Sequence, residues 1–97
     1  MDVAAETPNV NPVKPARLLA RIRRGDVSNV TFTDLIRLVE ALGFREAGGR
    51  GSHRVFVHPR VAELINMQEE HGQAKPYQVR QVANLVQRYD LILEEEP

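Results

Sequence analysis

This sequence predicts an α+β fold, a three-stranded antiparallel sheet with helices on one face, and three observations lead there. Two segments, Phe32 to Leu42 and Val79 to Val86, repeat apolar residues at the 3.6-residue helical period. Between them lie three short strand-like runs, separated by glycines, a proline and polar residues. Consecutive strands joined by short turns pair antiparallel, and the helices before and after them must bury their apolar stripes on a sheet face.

The elements follow in chain order. Residues 1–14 carry Pro8, Pro12 and scattered polar groups, and read as a flexible arm. Pro15 suits the first turn of a helix in which Leu18, Leu19 and Ile22 share one side, with Arg17, Arg21 and Arg24 on another. Gly25 stops it, and so short a helix must pack on something. Thr31 caps the next helix, with Asp34 at the capping-box position. Phe32, Leu35, Ile36, Val39 and Leu42 trace its apolar stripe, and Gly43 stands where a left-handed C-terminal cap belongs.

Phe44 to Ala47 reads as a first strand, and Gly48, Gly49 and Gly51 as a turn. Ser52 to His58 alternates as a second strand, closed by Pro59. Glu63 to Gln68 is the third, although Leu64, Ile65 and Met67 do not alternate cleanly. A polar loop through His71 and Gly72 leads to Pro76. Val79, Val82, Ala83 and Val86 then mark a helix running to Tyr89. The expected organisation is an arm at 1–14, a single domain at 15–93 with its core at 32–89, and an acidic tail at 94–97. There is no internal repeat.

Bulk composition narrows the function classes. A chain of 97 residues, 42% hydrophobic, is enough for one small core. No apolar run is long enough to span a membrane, and the N-terminus lacks the charged-then-apolar pattern of a secretory signal, so a cytoplasmic protein is expected. Without cysteine there is neither a disulfide nor a thiolate metal site. The net charge of zero conceals segregation. From Asn11 to Arg60 ten basic residues face four acids, while Asp2, Glu6 and Glu94 to Glu96 sit at the ends. Eleven of the thirteen cations are arginine, whose planar fork matches phosphate. Such a stretch permits RNA binding, and serves equally well as a solvated face.

Candidate chemistry concentrates between Gly49 and Pro59. Strand alternation puts His53, Val55 and Val57 on one face and Arg54, Phe56 and His58 on the other. The two valines point that first face at the core, which leaves Arg54, Phe56 and His58 on the open face. His53, beside the glycine turn, has two readings. It orders the turn through a hydrogen bond, or it moves protons near neutral pH. In RNA cleavage a base takes the 2′-hydroxyl proton and the oxygen attacks the adjacent phosphate. Arg50, Arg54 and the N–H groups of Gly51 and Ser52 are suited to steady the charge that develops there. His53 and His58 lie on opposite faces and no helical histidine pair exists, so neither a metal nor any other cofactor is expected. Ser52 and His53 point apart, which argues against a serine hydrolase. Lys75, Arg80 and Arg88 can touch phosphates or simply face water. Tyr77 and Phe56 can stack bases, although Tyr77 better suits a core or helix-start position.

The helix ending in Leu42-Gly43-Phe44, the triplet Gly51-Ser52-His53 before Val55-Phe56, and the run Lys75-Pro76-Tyr77-Gln78-Val79-Arg80-Gln81 together resemble the HicA toxin family, over about Phe32 to Tyr89. The resemblance implies a fold like that of double-stranded-RNA-binding domains, metal-independent mRNA cleavage, and inhibition by a HicB antitoxin. It places the family's catalytic histidine on His53. With it, the expected RNA-binding residues are Arg50, Gly51, Ser52, Arg54, Phe56, His58, Lys75 and Arg80. Neither a membrane nor a small-molecule cofactor enters. The arm, the helix before Thr31 and the glutamate tail are additions to the family pattern. Two other classes stay open: a non-catalytic RNA-binding module in which His53 only orders the turn, and a protein-interaction domain.

Overall fold

The computed structural model describes residues 12–94, so residues 1–11 of the expected arm and 95–97 of the expected tail lie outside it. Helices α1 (Pro15–Arg23) and α2 (Phe32–Ala41) come first. Strands β1 (Arg45–Arg50), β2 (His53–His58), β3 (Val61–Glu70) and β4 (Gln73–Ala74) follow, and α3 (Pro76–Tyr89) comes last. The strands form one antiparallel sheet in the order β1-β2-β3-β4. This α+β arrangement is compatible with the helix, three strands, helix order of double-stranded-RNA-binding domains, with α1 added in front.

Both predicted helix boundaries of α2 have a local cause. The Thr31 hydroxyl accepts a hydrogen bond from the Asp34 amide at 3.1 Å, satisfying one of the free N–H groups of the first turn. At the other end the Gly43 amide returns to Glu40 O and the Phe44 amide to Val39 O, each at 3.0 Å, the paired bonds of a Schellman cap. Leu35, Ile36, Leu38 and Val39 are thereby buried against the sheet and α1. Helix α1 contributes Leu18, Leu19 and Ile22 to the same core, and Val13 packs against it from the preceding turn. The Arg21 side chain ties the end of α1 to the following loop, bonding Ser28 O and meeting Asp26 at 3.2 Å.

Two strand expectations need correction. Gly48 and Gly49 belong to β1 and not to the turn, which contains only Gly51 and Ser52. Ala47 is the extra residue of a bulge, since the register skips from Glu46 to Gly48. The sheet also has a fourth strand that apolar periodicity does not reveal, because β4 has two residues. It forms because the polar stretch at His71-Gly72 is a two-residue turn, not a loop. On its far side β4 meets the segment before α2, through Ala74 N to Val30 O at 2.9 Å and Phe32 N to Gly72 O at 3.0 Å.

Beyond these two residues, the edge of β3 has no strand beside it. The amide of Gln78, buried in the first turn of α3, takes the vacant place. Its Oε1 accepts from Gln68 N at 3.1 Å and its Nε2 donates to Asn66 O. These two backbone groups are the ones a further strand would have bonded, so a single side chain continues the ladder and anchors α3. Replacing Gln78 with Leu keeps a side chain of similar size but, being apolar, strands both groups. The expected loss is about 1–3 kcal/mol in urea unfolding, and an unchanged midpoint would show that water serves as well.

Candidate functional site

The β1–β2 hairpin carries the residues singled out from sequence. Its turn is Gly51-Ser52, with Arg50 paired to His53 across it. Gly51 has φ +58°, as the first central residue of the hairpin turns that match strand twist. Gly49 answers a different need. A Cβ there would lie 2.3 Å from His53 O and 2.8 Å from the Arg54 Cα, so only glycine lets β1 run this close to β2.

The face assignment of β2 is the reverse of the sequence expectation. Phe56 is completely buried and His58 is buried, whereas His53 is exposed and Val55 and Val57 are half-buried. Phe56 pairs with Ile65, which is also completely buried, and the helices cover both. A phenylalanine buries more apolar surface than a valine, so one aromatic outweighs the valines in choosing the inner face. Phe56 and His58 are therefore core residues, not open-face contacts for RNA.

His58 has a defined structural task. Arg60 N donates to its Nδ1 at 3.0 Å, which leaves the ring proton on Nε2 to donate to Leu42 O at 3.1 Å. Its ring also meets Phe44 edge-on, with centroids 5.0 Å apart. The ring thereby bonds the end of α2 to the turn after β2.

Arg54 is likewise engaged. Its guanidinium forks onto the Glu46 carboxylate at 2.7 and 2.8 Å and lies 5.8 Å from the Phe56 ring centroid. The hydrogen bond from Arg54, reinforced by its charge, holds the Glu46 carboxyl below the usual range. Arg54 is thus not the free phosphate contact expected from sequence. Lys75 has a looser partner, Glu70 at 3.9 Å, and Arg80 is exposed on α3.

What remains on the open face is a row across three strands. The register pairs Arg50 with His53 and His53 with Gln68, and directly paired residues point to the same side. The next row places Val55 between Gly48 and Asn66. Gln68 and Asn66 were not found by sequence reasoning, since they are neighbours of His53 only through the β2–β3 register. Among the described residues, no side-chain hydrogen bond ties His53 down, in contrast to His58. A shallow depression of about 430 Å³ opens at this hairpin, lined by Arg50, Gly51, His53 and Arg54 among others. His71, exposed in the β3–β4 turn, lies at the same end of the sheet. No group of three or more metal-binding side chains occurs among the described residues. No helix among them is long and apolar enough to cross a membrane.

An antiparallel sheet backed by helices, with an exposed histidine and arginine at a glycine hairpin, defines a small α+β domain with one uncovered sheet face. The family model described as HicA toxin of bacterial toxin-antitoxin matches residues 32–87, more than half of the chain. The chain belongs to this family and is a toxin of a toxin–antitoxin system. No curated protein and no solved structure matches it.

Two outcomes follow. His58→Phe fills the same space but leaves Leu42 O and Arg60 N without partners, an expected cost of about 1–3 kcal/mol by urea unfolding. Glu46, with its folded pKa lowered, contributes stability that is present above the unfolded carboxylate pKa and lost as pH falls through the folded value. Glu46→Gln is expected to be slightly less stable than wild type at neutral pH, the effect being small because both partners are exposed. The two melting curves should merge in acid, and a gap of constant size would acquit the ion pair.

Proposed function

We propose that this toxin is a metal-independent endoribonuclease acting on mRNA, with His53 as its general base, and that a HicB-type antitoxin neutralises it. The observation that carries this reading is the contrast between His53 and His58. His58 is buried with both ring nitrogens bonded, while His53 is exposed and free of structural hydrogen bonds among the described residues. A histidine that merely ordered the turn would bond to it. His53 instead stands beside Arg50, an arginine with no ion-pair partner among the described residues, at the open end of the sheet.

In this reading His53 removes the proton of a ribose 2′-hydroxyl, and the oxygen attacks the adjacent phosphorus. The bond to the 5′-oxygen breaks, which leaves a 2′,3′-cyclic phosphate and a 5′-hydroxyl. Arg50 and the N–H groups of Gly51 and Ser52 stabilise the charge gathering on the phosphoryl oxygens. His71, at the same end of the sheet, is assigned to return a proton to the leaving oxygen. Gln68, held in line by its backbone bond to Gln78, borders His53 on the other side. The antitoxin covers this face, where Leu64 is 52% exposed beside Val55 and Val57, and its acidic groups meet Arg50 in place of phosphate.

Induced expression of wild type should arrest growth, and His53→Ala should abolish the arrest while keeping its circular dichroism spectrum, because His53 is exposed. With purified protein, RNA cleavage should fall by at least about a hundredfold for His53→Ala, the range general-base removal produces, and less for His71→Ala. Cleavage that survives in a folded His53→Ala protein would refute the assignment.

A further inference from the structure

Three of the six arginines within the helices are used by the fold. Arg21, Arg37 and Arg88 meet the carboxylates of Asp26, Asp34 and Glu63. Arg23, in the last turn of α1, and Arg80, on α3, are exposed and have no ion-pair partner among the described residues. Both line one groove of about 530 Å³ between the end of α1 and the flank of α3. The groove includes apolar surface from Ile22 and Val27 and an amide from Asn84, and among the described residues no acidic one lines it. Two guanidinium groups bordering one groove make it attractive to an anion.

The same stretch of α3 leads toward the sheet end described above. Arg80 and Asn84 also border a second concavity together with Tyr77, which is 58% exposed in the first turn of α3. Adjacent to Tyr77 in the chain, Gln78 bonds Gln68, and Gln68 pairs with His53. Cations, an amide and an exposed aromatic ring therefore follow one another from the α1–α3 groove toward the β3 edge. Guanidinium forks match phosphodiester oxygens, and an aromatic face takes an unpaired base of any identity. An acidic peptide would use the cations and leave the ring idle, so the combination favours nucleic acid with unstacked bases.

We infer that the α1–α3 groove is a second RNA contact, in which Arg23 and Arg80 hold phosphates of a single strand and Tyr77 stacks one of its bases. The inference rests on the RNA-directed reading of His53 and adds to it an anchoring surface on the helical layer. One wall of the groove, α1, lies outside the residues that match the family.

The test uses the full chain carrying His53→Ala, so that RNA stays intact, and a labelled single-stranded oligoribonucleotide of about 16 nucleotides. Its affinity is measured by fluorescence anisotropy over a range of salt concentrations. Adding Arg23→Gln and Arg80→Gln together should weaken binding roughly tenfold. It should also flatten the log–log salt slope by about 1.4, the value for two phosphate contacts on a single strand. Tyr77→Ala should weaken binding with the slope unchanged, and Arg17→Gln, on α1 but outside the groove, should alter neither. Parental affinity and slope in the folded double variant would overturn the groove while leaving the His53 reading intact. Intact RNA binding with a weakened antitoxin complex would reassign the groove to a protein, which also overturns it. If the His53→Ala parent binds no RNA at all, the groove and the RNA-directed reading fall together.

Discussion

The burial of Phe56 between the sheet and the helices determines which way every other residue of β2 points. Strand geometry alternates side chains between faces, so a single large side chain drawn inward commits its neighbours outward. Phe56 meets Ile65 across the register and is fully excluded from water. His58, two residues on, is carried inward with it and bonds Leu42 O and Arg60 N. His53 is three residues away and emerges on the opposite face. The same contact thus removes one histidine from chemistry and presents another to solvent.

The hairpin that presents His53 is held by close backbone approach and an ion pair, not by apolar packing. All of β1 is exposed, so it contributes little burial. Gly49 lets its backbone close on β2, and the Glu46–Arg54 fork braces the hairpin on the side away from His53. Holding Arg54 in this way leaves Arg50 as the cation beside the histidine. The bulge at Ala47 breaks the regularity of β1, and the charges of Arg45, Glu46 and Arg50 discourage pairing of this free edge with another strand.

The far edge of the sheet is managed differently. Residues at the end of β3 pair with β4, which in turn meets the backbone before α2, and the Gln78 side chain serves the groups further along. This joins the first turn of α3 to the strand that flanks His53. At the other end of α3, Arg88 and Tyr89 both bond the Glu63 carboxylate. The helix is therefore fastened to β3 at both ends.

Much of the fold was legible in the chain. The helices announce themselves through period and caps, and Thr31 and Gly43 act as their types predict, because capping is a local exchange of hydrogen bonds within a few residues, whereas the Asp34 carboxylate meets Val13 N and Arg37. The glycine-serine setting and family pattern single out His53 as the histidine to test, whereas the extent of the turn beside it was not legible, because Gly48 and Gly49 enter β1 only through close pairing with β2. Periodicity alone could not say which face of β2 is inward, since both faces of the strand offer apolar residues and the choice depends on what Ile65 and the helices supply. The partners of Arg54, the duty of His58 and the place of Gln68 beside His53 were equally hidden. They depend on bulges and register, which bring together residues distant in sequence. Sequence by itself determined the three helices, the presence of three of the four strands, and the histidine to suspect. Only the tertiary structure decided its surroundings, because side-chain direction and ion pairing are settled by packing between strands.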